Sequence, residues 1–129
     1  MRRQVELWLQ QALIDLKTAE KLVEDPELTP STAFHCQQCI EKCLKGLIEN
    51  RDMSVPKTHN LPHLLGIVSS GYVLHMNEEI LNQVNEVYVD SRYPGDAGLV
   101  PEGKPYVTKA KAFVAFAQEV YNRTAALLR

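Results

Sequence analysis

The segment from Tyr88 to Gly95 holds several groups that could bind a nucleotide. Asp90, Arg92 and Tyr93 place a carboxylate, a guanidinium and an aromatic ring close together. A guanidinium can grip a phosphate, and an aromatic ring can stack on a base. In a second interpretation, Arg92 caps the last carbonyls of a helix that Tyr93 and Pro94 end. The spacing favours neither interpretation, and Asp90 and Arg92 both remain candidate catalytic residues.

A second candidate is a set of polar residues that recur at helical spacing in one segment. They are Gln37, Gln38, Glu41, Lys42 and Lys45. Spacing alone favours a solvated face with a Glu41–Lys45 pair, which would stabilise the helix by a few tenths of a kcal/mol, on the order of 0.3. The alternative is a polar seam in an interface or cleft.

Cysteines and histidines raise the question of a metal site. Cys36, Cys39 and Cys43 follow the spacing of a helical stripe that Ile40 and Leu47 share, so we expect packing and no metal. His59 lies at a loop-to-helix junction. It could meet an anion at the helix N-terminus or bond the local backbone, and the latter is favoured on spacing.

Composition excludes several classes of protein. The 129 residues carry a net charge of −2 and are 45% hydrophobic, which argues against broad electrostatic binding of nucleic acid and against disorder. No apolar run is long enough to span a membrane, and the N-terminus is unlike a signal peptide. The clustered, odd set of cysteines predicts a reducing, cytoplasmic location. Phosphate-binding glycine loops and a GxSxG motif are absent from the sequence.

Apolar periodicity predicts the helices that position these residues. The expected helices cover 3–24, 32–50 with Ser31 as N-cap, 61–69 with Asn60 as cap, a fourth beginning at Asn77-Glu78-Glu79, and 106–128. The stretch from Ser91 to Pro105 lacks a period and predicts a long loop. We therefore predict a single all-α domain over 1–129, an antiparallel up-and-down bundle of four main helices and one short helix.

Four motifs in this order resemble the HEPN domain family, which is named for nucleotide binding in higher eukaryotes and prokaryotes. Residues 8–19 resemble the family's first helix, and residues 34–47 resemble its F-x-x-Q-Q-A-x-E-K-x-L-K-A-L helix. In that second motif Cys39 and Gly46 stand where alanine is usual. Residues 57–64 resemble the family's T-H-x-L-x-x-L junction, and residues 91–95 resemble the family's R-Y-P segment.

The resemblance implies a helical bundle that forms a homodimer. It also implies a partner, a minimal nucleotidyltransferase encoded nearby, in a toxin–antitoxin-type module. Many relatives are metal-independent endoribonucleases that use an arginine and a histidine a few residues later. There the arginine steadies charge on the phosphate and the histidine acts as acid–base.

The sequence departs from that catalytic pattern, because no histidine follows Arg92. The resemblance therefore favours a non-enzymatic protein that binds a nucleotide or RNA and needs no cofactor. Matching motif positions make Arg92 and Tyr93 the first expected ligand contacts; the others are Gln38, Glu41, Lys42, Lys45 and His59. The alternatives are a ribonuclease toxin in which His59 or Asp90 serves as base, and an antitoxin-like partner that binds through residues 37–45.

Overall fold

Five helices form the computed structural model, which describes residues 1–92 and 105–129 and the side chains of 1–87 and 105–129. They are α1 (Arg3–Leu22), α2 (Thr29–Asn50), α3 (Leu61–Val68), α4 (Glu78–Arg92) and α5 (Val107–Leu128). The described residues contain no strand. The all-α prediction is confirmed. None of the described helices has both the length and the hydropathy required to cross a membrane.

Helix α2 occupies the centre of the bundle. It contacts each of the other four helices, and its apolar side chains lie in the core. Helix α1 runs antiparallel to it, because Arg2 bonds Glu49 at one end while Asp15 reaches His35 at the other. Because four helices pack against α2, residues outside its apolar stripe can also be buried, and these include some of its polar residues.

Helix α1 approaches α2 closely at Gly46. A Cβ atom placed on that glycine would lie 3.3 Å from the Cβ atom of Trp8. Ordinary carbon contacts are longer than this, at about 3.5–4.0 Å. The missing side chain at Gly46 therefore allows the two helices to pack at this distance.

Two helix starts were predicted with different success. Asn60 caps α3 by accepting a hydrogen bond from the His63 N–H at 2.8 Å, as expected. Ser31 is not the N-cap of α2, which begins at Thr29 with Leu28 as the capping residue. Pro30 explains the earlier start, because proline suits the first turn of a helix, where its missing N–H is not needed.

The predicted fourth helix begins as expected. Asn77 accepts hydrogen bonds from the backbone N–H groups of Glu79 and Ile80. It extends further than the sequence indicated, because Ser91 and Arg92 are its last two residues. The remainder of the predicted loop, 93–104, lies outside the described residues.

Candidate functional site

A buried carboxylate organises one side of α2. Glu41 Oε2 accepts a hydrogen bond from Lys45 Nζ at 3.0 Å, and Oε1 accepts from Gln37 Nε2 at 3.1 Å. Oε1 also lies 2.9 Å from His59 Nδ1. We call these four residues the Glu41 cluster. The lysine balances the carboxylate charge, and the other two contacts complete its hydrogen bonding.

The Glu41 cluster overturns the prediction of a solvated face. The side chains of Glu41 and Lys45 are only 5% and 8% exposed, and Gln37 is fully buried. Lys45 Nζ also lies 5.9 Å from the centre of the Trp8 ring, within the range of a cation–π contact. The predicted Glu41–Lys45 pair forms, but α1 and the segment that precedes α3 cover it. Gln37, Glu41 and Lys45 therefore supply little of the exterior surface that an antitoxin-like partner would need.

Gln38 continues the hydrogen bonding outward. Gln37 Nε2 donates to Glu41 and, at 3.1 Å, to the backbone carbonyl of His59. Both acceptors lack a proton to donate, so the amide oxygen of Gln37 must face the other way. It accepts from Gln38 Nε2 at 2.7 Å. The buried carboxylate thereby fixes the orientation of both amides.

His59 is the exposed member of the Glu41 cluster. Its side chain is 55% exposed, whereas its Nδ1 faces the buried carboxylate. Because a carboxylate only accepts, Nδ1 carries the proton, and in a neutral ring Nε2 then has the lone pair. This differs from both sequence interpretations, since His59 bonds a side chain eighteen residues away in sequence and not the local backbone.

The N-terminus of α3 offers no free backbone donor for an anion. The Leu61 N–H donates to Asn85 Oδ1 at 2.9 Å, and the His63 N–H donates to the Asn60 side chain. The proline between them has no N–H, and the next N–H donates to the Asn60 carbonyl. The less favoured anion interpretation of His59 therefore has no backbone donor to support it.

A second buried carboxylate lies between α1 and α2. Asp15 Oδ2 accepts from Lys42 Nζ at 2.6 Å, and Oδ1 lies 2.9 Å from His35 Nδ1. We call these three residues the Asp15 cluster. The side chains of Asp15, Lys42 and His35 are 10%, 21% and 28% exposed. Sequence reasoning assigned no role to Asp15 or His35, although an aspartate within the apolar stripe of α1 is itself a sign of a buried partner.

Of the predicted ligand residues on α2, Gln38 and Lys42 remain partly open to solvent. Arg92 occupies the last position of α4, seven residues after Asn85. Asn85 bonds the start of α3, next to His59. The side chains of Asp90 and Arg92, and Tyr93 as a whole, lie outside the described residues.

The three cysteines pack in the core as predicted. All three are buried and carry free thiols. Burial, helped by the negative charge of Glu20, raises the pKa of Cys36 to about 12. A hydrogen bond with Cys43, burial and neighbouring charges also raise the pKa of Cys39. In the part of the chain with described side chains, no group of histidine, cysteine or acidic residues could hold a metal ion.

The architecture is that of an all-α bundle in which two buried carboxylates, Glu41 on α2 and Asp15 on α1, each contact a lysine and a histidine. A family model for the HEPN domain matches residues 5–127, so the chain belongs to the HEPN domain family. The fold is similar to the crystal structure of ST0689, an archaeal HEPN homologue, with 25% identity, a TM-score of 0.71 and full coverage of both chains.

A second solved structure has a similar fold. It is TT1696 from Thermus thermophilus, which is 22% identical with a TM-score of 0.75, over 97% of this chain and 98% of that chain. No curated protein matches the sequence. The comparisons thus establish the family and the fold, and the ligand has to be inferred from the site.

Proposed function

We propose that the protein is a dimeric HEPN protein that binds a nucleotide or RNA without cleaving it. The observation that carries the proposal is the combination of HEPN family membership with an arginine that no histidine follows. Arg92 can contact a phosphate, but the acid–base residue that cleavage requires of relatives is missing at its expected place.

The arrangement of the described residues supports a ligand site on one side of the bundle. Gln38 and Lys42 are partly open on α2, and hydrogen bonds through Gln37 and Glu41 connect Gln38 to His59. Arg92 ends α4, the helix whose Asn85 bonds the segment that carries His59. A cation, amides and an imidazole are typical of sites that bind phosphate and base together.

The proposed unit is a homodimer that works with a minimal nucleotidyltransferase in a toxin–antitoxin-type module. The family resemblance supports both partners, and a two-fold axis would double the few cations of a nearly neutral chain. The proposed location is the cytoplasm, since buried free thiols are typical of reducing compartments.

The test of binding is equilibrium titration with ATP, GTP and short RNAs. We expect Arg92→Ala to weaken binding at least about tenfold, because a phosphate would lose a charge-assisted contact. Arg3→Ala is the matched control, since Arg3 is exposed and, among the residues with described side chains, pairs with its helix neighbour Glu6. Unchanged binding by Arg92→Ala would show that the ligand site is elsewhere.

The Glu41–His59 contact favours one further candidate function, an altered ribonuclease. A carboxylate that holds the Nδ1 of a histidine fixes the tautomer and the orientation of the ring, as acid–base catalysis requires. Expression of the chain alone distinguishes this candidate. An active nuclease degrades RNA, and His59→Ala and Arg92→Ala both abolish degradation. Intact RNA under strong expression would contradict it.

A further inference from the structure

The outer edge of Gln38 has a defined hydrogen-bonding pattern. The relay from Glu41 through Gln37 commits one N–H of Gln38 Nε2 to the Gln37 oxygen. The second N–H and the oxygen Oε1 of Gln38 take no part in this bond, and the residue is partly open to solvent. A donor and an acceptor therefore lie side by side, and the buried end of the relay holds them in one orientation.

A neutral donor–acceptor pair of this kind is suited to a nucleobase edge. Glutamine forms two hydrogen bonds with adenine, by accepting from N6 and donating to N7. Guanine has two acceptors at the corresponding positions, O6 and N7, so the same amide cannot form both bonds there. The pattern thus selects one purine over the other, because guanine would leave the glutamine oxygen facing another oxygen.

Residues on either side of Gln38 match the remaining parts of a nucleotide. Phe34, Gln38 and Lys42 follow each other at intervals of four residues on α2. Such neighbours are about 6 Å apart along a helix and lie on one face. In this order the row supplies an aromatic ring, an amide and an ammonium group. Lys42 is held by Asp15 but keeps part of its side chain in solvent.

We propose that Gln38 reads adenine through its N6 and N7 atoms, and that the nucleotide bound by this protein is an adenine nucleotide. This inference rests on the proposed function. Gln37 and Glu41 are positioning residues, which hold the amide of Gln38 in place before the ligand arrives. The adenine belongs either to a free nucleotide or to a residue in RNA, because the base edge is the same in both.

The experiment is calorimetric titration of the full chain with ATP, GTP and 7-deaza-ATP. The last differs from ATP only in replacing N7 by a carbon, so it removes the acceptor without any change to the protein. We expect ATP to bind about tenfold more tightly than GTP, the size typical of a two-bond base contact, and severalfold more tightly than 7-deaza-ATP, which loses only the bond to N7. A parallel titration compares hexaadenylate RNA with its 7-deazaadenine counterpart, and a preference in either pair supports the proposal.

Gln38→Met tests the residue itself. Methionine keeps the length of the side chain but can form neither bond, so affinity for ATP falls about tenfold to that for GTP, which stays unchanged. Gln11→Met is the matched control, because Gln11 is an exposed residue of α1. If the unmodified protein binds ATP and 7-deaza-ATP equally, and also binds the two RNAs equally, Gln38 does not recognise adenine through N7. The proposal that the protein binds a nucleotide would still stand. Failure of every nucleotide and RNA to bind overturns the proposed function as well.

Discussion

The Glu41 cluster and the Asp15 cluster share three kinds of group and differ in which helices and segments supply them. Each has a carboxylate that holds a lysine ammonium and the Nδ1 atom of a histidine. In the Glu41 cluster the lysine is one turn away on the same helix. In the Asp15 cluster both partners lie on α2, whereas the aspartate belongs to α1.

Solvent reaches the two clusters to different degrees. Lys45 is nearly enclosed, whereas Lys42 retains access to water. An enclosed ammonium that loses its carboxylate has no way to recover hydration, but a partly exposed one can turn outward. The comparison indicates that loss of the Glu41 carboxylate lowers the free energy of unfolding more than loss of the Asp15 carboxylate does. The Asp15 cluster joins α1 to α2 but contributes less to stability.

The largest expected effect is that of Glu41→Met. The change leaves Lys45 buried without a counter-charge, so we expect the free energy of unfolding to fall by about 3–5 kcal/mol. Urea unfolding at neutral pH measures it. The double variant Glu41→Met/Lys45→Met is expected to recover a large part of the loss, because apolar groups can replace a buried ion pair.

The control for this prediction is Glu119→Ala. Glu119 pairs with Arg123 on the surface of α5, where both side chains are about half exposed. Such pairs contribute about 0–1 kcal/mol, so little change is expected. If the double variant were no more stable than Glu41→Met, the loss would come from the uncompensated bonds of Gln37 and His59 and not from the charge of Lys45.

A smaller effect is expected for Asp15→Leu. Lys42 can rehydrate, so we expect the free energy of unfolding to fall by about 1.5–3 kcal/mol, the range of a hydrogen bond to a charged group. The same urea titration measures it. A loss equal to that of Glu41→Met would mean that joining α1 to α2 matters more than the burial of the ammonium group.

The smallest effect concerns the apolar side of α2, which provides a reference without charges. The pKa of Cys36 is raised from 9.0 to about 12 in the folded protein, so the unfolded chain loses this proton first as pH rises. The folded state then binds more protons, and its stability declines above pH 9. At pH 10 the titration of this thiol lowers the free energy of unfolding by about 1 kcal/mol.

Cys36→Ala isolates that contribution. The variant is expected to lose about 1 kcal/mol less than the unmodified protein between pH 7.5 and about pH 10, as measured by unfolding in denaturant. Other groups titrate in this range, but they are common to both proteins and cancel in the difference. Parallel pH profiles for the two proteins would contradict the burial of the thiol.

The helices could be predicted from the sequence because their signals are local. Apolar periodicity predicted the four longer helices, the cap at Asn60 predicted the short α3, and the cap at Asn77 was likewise visible as a residue type. The start of α2 was missed because Ser31 matched a capping preference, while Pro30 allowed the helix to begin at Thr29. Boundaries of this kind depend on one turn of backbone, which several residues can satisfy.

The two clusters could not be predicted from spacing, because their partners are distant in the chain. Polar residues on one side of a helix are expected to face solvent only when other elements pack against the opposite side alone. Helix α2 contacts all four other helices, so part of its polar side is buried. His59 and Asp15 reach α2 from separate segments, so nothing in residues 37–45 reveals them. The family motif contains Gln38, Glu41 and Lys42, but it does not show which residues they contact.

Gly46 has a consequence for what sequence drift can do to this protein. Aspartate has a short side chain, and Asp15 contacts both His35 and Lys42 across the α1–α2 interface. That reach depends on the separation of the two backbones, which at Gly46 leaves no room for a methyl group without a shift of Trp8 or α1. Sequence drift at position 46 is therefore limited to small residues unless Trp8 moves. Alanine would displace Trp8 by a few tenths of an ångström, and a larger side chain would push α1 away from the helix that holds His35 and Lys42.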